Sequence, residues 1–259
     1  MIKKYGSLFG LILGVLSIFG AFIWEGGSIN ALFLIAPIVV VFGGTFAAVI
    51  IGFGLNNFLK IFKLIKIAYS PLEYDIKGMS DGFLEIARKA RTDGLLSVEK
   101  SLHLLKYFFP QKLIRFVLDG TNSEDLEIIA KSEMKSLTDR HSSYGFIFTK
   151  MGGYAPTMGI IGTVMGLIQT LANAGNDPNI LIHNIASAFI ATLWGIFSAN
   201  IIWLPIADKL KQWHLKEIQM MEVSLEAVLG IQSGEIPSVI KSRLISMLPQ
   251  KDQVAVLEK

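Results

Sequence analysis

Four stretches of the chain run without Asp, Glu, Lys or Arg: about Tyr5–Trp24, Ile29–Leu55, Met151–Asn173 and Asn184–Ala207. Crossing roughly 30 Å of hydrocarbon takes about 20 helical residues, and each stretch reaches that length. A helix buried in a water-soluble core rarely goes so far without a charge, so the pattern predicts four membrane-spanning helices. The residues between the second and third stretches, 56–150, turn polar with helical periodicity. Pro71, Gly94 and the pair Phe109-Pro110 punctuate them, and Leu118–Ser123 reads as a helix end followed by a new start capped by Ser123. After Ala207 the pattern is again amphipathic helix, with a turn near Gly234 and Pro237. The expected fold is an all-α membrane protein with four transmembrane helices in two hairpins. Its parts are an N-terminal hairpin (1–55), a helical domain (56–150), a second hairpin (151–207) and a helical tail (208–259).

Within the spans the small residues are ordered. Gly6, Gly10 and Gly14 repeat every four residues in the first helix, a ridge that allows close helix approach. Pro37 and Gly43-Gly44 predict a kink in the second. In the third, Gly159, Gly162, Thr163, Gly166, Thr170 and Asn173 share one stripe, while Ile161, Val164, Ile168 and Leu171 oppose it. In the fourth, Ser187, Ala191, Gly195 and Ser198 nearly align, with Ala188, Thr192 and Ala199 beside them. Such faces serve tight packing between helices or line an ion path with hydroxyls; the spacing supports both equally.

Composition agrees with a membrane protein: 52% of residues are hydrophobic and 17% charged. The placement of charge then sets orientation. Lys3 and Lys4 precede the first span, Lys60, Lys63 and Lys66 follow the second, Arg140 and Lys150 precede the third, and Lys209 and Lys211 follow the fourth. The other two loops carry only Glu25 and Asp177. The positive-inside rule therefore puts both termini and the middle domain in the cytoplasm. The first span is too long for a signal peptide core and Trp24-Glu25 is a poor cleavage site, so it reads as a retained anchor.

Candidate chemistry is sparse. There is no cysteine, the four histidines are scattered, and no phosphate-binding loop, metal-ligand spacing or nucleophile triad is present. No cofactor is expected, an enzyme is disfavoured, and the balanced charge of residues 56–150 lacks the basic stripe of a nucleic-acid binder. Proton carriers generally hold an ionisable group inside the membrane. None of these four spans contains one. Either no proton is carried, or a second protein supplies the carboxylate.

The run Gly152-Gly153-Tyr154-Ala155-Pro156-Thr157-Met158-Gly159-Ile160-Ile161-Gly162-Thr163-Val164-Met165-Gly166-Leu167 resembles the third-helix signature of the flagellar stator family, the MotA/PomA branch of the MotA/TolQ/ExbB proteins. Ala191–Gly195 and Trp203–Ala207 are similar to its fourth helix, Ala90–Glu99 to its rotor-contact segment, and Ile231–Pro237 to its tail. The resemblance covers nearly the whole chain in order. It implies a pentameric ring around a dimer of MotB, whose single membrane helix brings the ion-binding aspartate. It also implies a bacterial cytoplasmic-membrane location and rotation that pushes the rotor protein FliG. By the same resemblance Arg91 and Glu99 match the rotor-contact charges. Thr163 and Thr192 match ion-path hydroxyls, and Pro156 and Pro205 match the prolines that couple ion passage to movement. Ala191 stands where sodium-driven members tend to carry another threonine, which favours protons. From the residues alone, Arg91 and Glu99 read as solvated charges, Pro156 as a helix-opening proline and Pro205 as a kink. Rival readings are an ExbB/TolQ-type energy transducer, a self-contained channel or carrier, and a passive scaffold.

Overall fold

The computed structural model describes residues 2–70, 73–173, 175, 177–248, 250 and 253, and among them it is helical with no strand. Pro71 and the end of the tail, 254–259, lie outside them. The helices are α1 (Ile2–Trp24), α2 (Ile29–Leu32), α3 (Ile35–Ile38), α4 (Gly44–Phe53), α5 (Leu55–Tyr69), α6 (Ile76–Asp93), α7 (Phe108–Leu118), α8 (Ser123–Ala172), α9 (Pro178–Phe197), α10 (Leu204–Gln232) and α11 (Pro237–Ser246). A wide π turn at Val39–Gly43 joins α3 to α4, another at Ser198–Trp203 joins α9 to α10, and a 3-10 segment covers Leu95–Leu104. Among the described residues, four helices are long and apolar enough to cross a membrane.

The chain divides into two compact units: residues 1–71 with 141–211, and residues 72–140 with 212–259. The first is the membrane unit. Its core contains Val41, Val49, Ile61, Leu64, Ile147, Phe148, Met151, Ala155, Trp203 and Ile206. Helix α5, which opens the polar stretch of the sequence, packs here through Ile61, Leu64 and Ala68. The second, polar unit closes around Phe83, Ile86, Leu105, Leu113, Ile114, Leu126, Ile240 and Leu244. In α6, Met79, Gly82, Phe83, Ile86 and Ala87 are buried, the one-sided spacing of an amphipathic helix.

Several boundaries differ from the expected ones for visible reasons. The second span is broken between Leu32 and Ile35, and Phe33 lies four residues before Pro37, where a proline ring clashes with the helical carbonyl. Inside a bilayer the freed carbonyls need a donor. The Trp194 indole N–H donates to the Leu32 carbonyl at 2.8 Å, with Phe19, Phe33, Phe42 and Phe197 ringed around the indole. The third span is the end of one 50-residue helix, so Pro156 sits inside α8 rather than at its first turn. Asn122, not Ser123, caps that helix: its Oδ1 accepts from the Asp125 amide at 2.8 Å. In α1 the glycine ridge is mostly open, with Gly14 alone close to another element, at Ile201.

Candidate functional site

The third and fourth spans meet along the predicted small-residue stripe. A Cβ built on Gly159 would lie 2.8 Å from the Ala191 carbonyl oxygen, and one on Gly195 would lie 2.8 Å from that of Ala155. One on Gly162 would lie 2.6 Å from the Ala191 Cβ, and one on Gly166 would lie 2.7 Å from that of Ala188. Backbone meets backbone here, so these glycines serve packing, as small residues do where membrane helices cross closely. The opposite residues Ile161, Val164, Ile168 and Leu171 are all exposed, as a lipid-facing side requires.

Polar atoms interrupt the seam at one level. The Thr163 and Thr192 hydroxyl oxygens are 2.5 Å apart. Thr163 Oγ1 also lies 3.0 Å from the Ala188 carbonyl and 3.1 Å from that of Gly159. A hydroxyl has one proton and two lone pairs, and carbonyls only accept. The consistent assignment has Thr163 donating to the two carbonyls and Thr192 donating to Thr163. One lone pair of Thr163 and both of Thr192 then remain to accept. Neither residue is fully buried. The pair is an uncharged, acceptor-rich step between two spans, able to take a hydrogen bond or a cation.

Ala191 is 1% exposed and faces Gly162, inside the seam rather than on its open side. Pro156 approaches Gly195: a Cβ there would come within 3.2 Å of its Cα. As a residue without an N–H inside a helix, Pro156 leaves the Gly152 carbonyl without its helical donor. Pro205, directly after the π turn at Ser198–Trp203, likewise brings no N–H to its helix. Buried Trp203 Nε1 in that turn has no acceptor among the described residues.

Arg91 and Glu99 lie in the polar unit, on the last turn of α6 and in the 3-10 segment after it. Gly94 makes the corner between them with φ +84°, a left-handed conformation that favours glycine, and the Ser97 hydroxyl donates to its carbonyl at 2.7 Å. Both charges are exposed, and neither forms an ion pair among the described residues. Sequence reasoning passed over Leu96, which stands 78% exposed at the same corner. The corner thus exposes a large apolar side chain beside charges of both signs. The signal was available, because Leu95-Leu96 directly follows the helix-ending glycine. Elsewhere in this unit burial, and then the charge and hydrogen bond of Glu217, push the Tyr74 phenol well above its ordinary range, with Tyr107 adding to it. Among the described residues no group of His, Cys, Asp and Glu could hold a metal ion.

Residues 100–223 match the model of the MotA/TolQ/ExbB proton channel family, and residues 8–94 match that of the motility protein A N-terminal region. The chain is 35% identical to motility protein A of Bacillus subtilis over 98% of its own length and 94% of the relative's. It is 34% identical to motility protein A of Aquifex aeolicus, covering 94% of this chain and 96% of that one. Its fold superimposes on the flagellar MotAB stator complex from Bacillus subtilis with a TM-score of 0.90 at 34% identity, covering 96% of this chain and 98% of that chain. The chain belongs to the MotA/TolQ/ExbB proton channel family, in its motility protein A branch.

Proposed function

We propose that the chain is the ring-forming subunit of a flagellar motor stator in the bacterial cytoplasmic membrane, both termini inside, assembled as a pentamer around a MotB dimer. The observation that carries the reading is the Thr163–Thr192 hydroxyl pair, set in a glycine-lined seam with no ionisable side chain in either span. A cation can be solvated there but not exchanged for a proton on this chain alone, so the MotB aspartate must supply that chemistry. Ala191, packed on Gly162, adds no oxygen to the path, which suits a proton better than a sodium ion that needs several ligands.

Ion passage shifts the third and fourth spans at Pro156 and Pro205, where missing helical hydrogen bonds permit bending. The polar unit presents Arg91, Leu96 and Glu99 to the rotor protein FliG. An ExbB/TolQ-type transducer shares the ring principle but has no use for a charged rotor-contact corner. Replacing Arg91 with Glu in a swimming cell tests the torque reading. Torque should fall by about ten-fold, the cost of one lost charge contact at an interface, and return partly when a facing FliG charge is reversed. Unchanged swimming would remove Arg91 from the contact.

A further inference from the structure

Helix α5 has three faces. Ile61, Leu64 and Ala68 pack into the membrane unit. Leu55, Leu59, Phe62 and Tyr69 fall on a second face and are exposed, by 55%, 58%, 68% and 37%. Lys60 and Lys63 lie on the third, and exposed Lys66 falls among the apolar residues of the second. A helix immersed in hydrocarbon would not keep three lysines, and one in water would not expose that apolar stripe. The combination fits a helix at the bilayer surface. Gly54, with φ +80°, ends α4 and lets α5 leave the line of the second span.

Two neighbouring elements bring more lysines to the same end. Lys60 Nζ lies 5.1 Å from the centre of the Tyr144 ring, Lys150 Nζ 5.0 Å from that of Phe146, and Lys209 Nζ 5.1 Å from that of Tyr69. Each ammonium lies within cation–π range of an aromatic ring, and Lys60 Nζ also donates to Asn57 Oδ1 at 3.1 Å and to the Tyr144 hydroxyl at 3.3 Å. Burial lowers the Lys209 pKa, consistent with a site partly shielded from water. At this end the membrane unit has Lys60, Lys63, Lys66, Lys150, Lys209 and Lys211 against one carboxylate, Asp208, with His141 nearby. At the other end its acids are Glu25 and Asp177, with no lysine or arginine.

We infer that this lysine and aromatic band, centred on α5, binds the phosphate headgroups of anionic phospholipids in the leaflet it faces. Headgroup phosphates meet Lys60, Lys63 and Lys66, and the acyl chains cover Leu55, Leu59 and Phe62. The inference rests on the membrane placement proposed above, though not on torque generation.

The test is native mass spectrometry of the full stator complex. Phosphatidylglycerol and phosphatidylcholine of identical acyl chains are added in turn. Wild type should retain phosphatidylglycerol about ten-fold better, as expected for several lysines near an anionic surface. The Lys60→Gln, Lys63→Gln, Lys66→Gln triple variant should lose that preference, and the triple Arg variant should keep it. The single Lys66→Gln variant, at an exposed site, should weaken it and covers the case in which the triple variant does not assemble. A triple Gln variant that keeps the preference overturns the inference. Altered ring mass with unchanged lipid binding also overturns it, because a second copy of the chain would then sit on this face. Displacement of the lipid by glycerol 3-phosphate at equal concentration would do so as well, assigning the lysines to a soluble anion. Swimming cells separate the two readings: a motile strain without the lipid preference removes only this inference.

Discussion

In the proposed function, the Thr163–Thr192 pair is the smallest unit on which ion passage depends. That proposal makes both hydroxyls acceptors toward a passing cation, with Thr163 held by the Ala188 and Gly159 carbonyls. Thr192→Val keeps the shape and removes the oxygen, so ion-driven rotation should fall by about ten-fold, one charge-assisted hydrogen bond. Thr192→Ser should keep most of it. The check is rotation speed of tethered cells, and equal speeds for Ser and Val would make the pair a packing feature. In the polar unit the raised Tyr74 pKa has its own consequence. Burial and Glu217 disfavour the phenolate in the folded state. The folded value lies above the unfolded one, so this group's contribution is complete below about pH 10 and is lost as pH rises beyond it. Thermal unfolding measured between pH 8 and 11 should show that loss in wild type and a flatter profile in Tyr74→Phe.

At the scale of elements, the seam between α8 and α9 is sterically saturated. Gly159→Ala or Gly195→Ala would press a methyl group against a backbone carbonyl that cannot step aside. Each should destabilise the membrane unit by about 1–3 kcal/mol, the usual cost of overpacking. Gly153→Ala, where a methyl group meets open space, should be neutral or slightly stabilising. Detergent-resistant unfolding midpoints of the three variants separate these outcomes, and a tolerated Gly159→Ala would contradict so close a contact. The spans that flank the seam are not plain rods. Both the second and the fourth contain a π turn, and Phe42, next to Gly43 in the first, lies against Trp203 in the other at 6.4 Å. Wide turns loosen backbone hydrogen bonding, which suits the bending proposed near Pro205.

The whole molecule combines a membrane unit without intramembrane charge and a polar unit with charges at an exposed corner. Much of this was legible in the sequence, for identifiable reasons. The four spans follow from uninterrupted apolar length, and the Gly159, Gly162 and Gly166 stripe from helical periodicity. The kink expected from Pro37 appears as a break at its i−4 position, Phe33. Other features were hidden because they depend on distant partners. Nothing local to Trp194 indicates that its indole caps Leu32, 162 residues away in the chain. Charged residues through 123–150 obscured the continuity of α8 with the third span. The burial of Ala191 needed the facing helix to be seen. Leu96 stands in the Ala90–Glu99 segment that carries the family resemblance, yet that resemblance singled out the charges Arg91 and Glu99 and not the apolar residue between them.

Cation flux into sealed vesicles, driven by an imposed membrane potential, bears most directly on the division of chemistry between this chain and a carboxylate-bearing companion. The purified chain alone should leave the vesicles as tight as protein-free ones. The chain reconstituted with a MotB-type partner should conduct, and conduction should vanish when the partner's membrane aspartate becomes asparagine. Rapid flux through the chain by itself would contradict that division, because no side chain in its four spans could then account for the proton step.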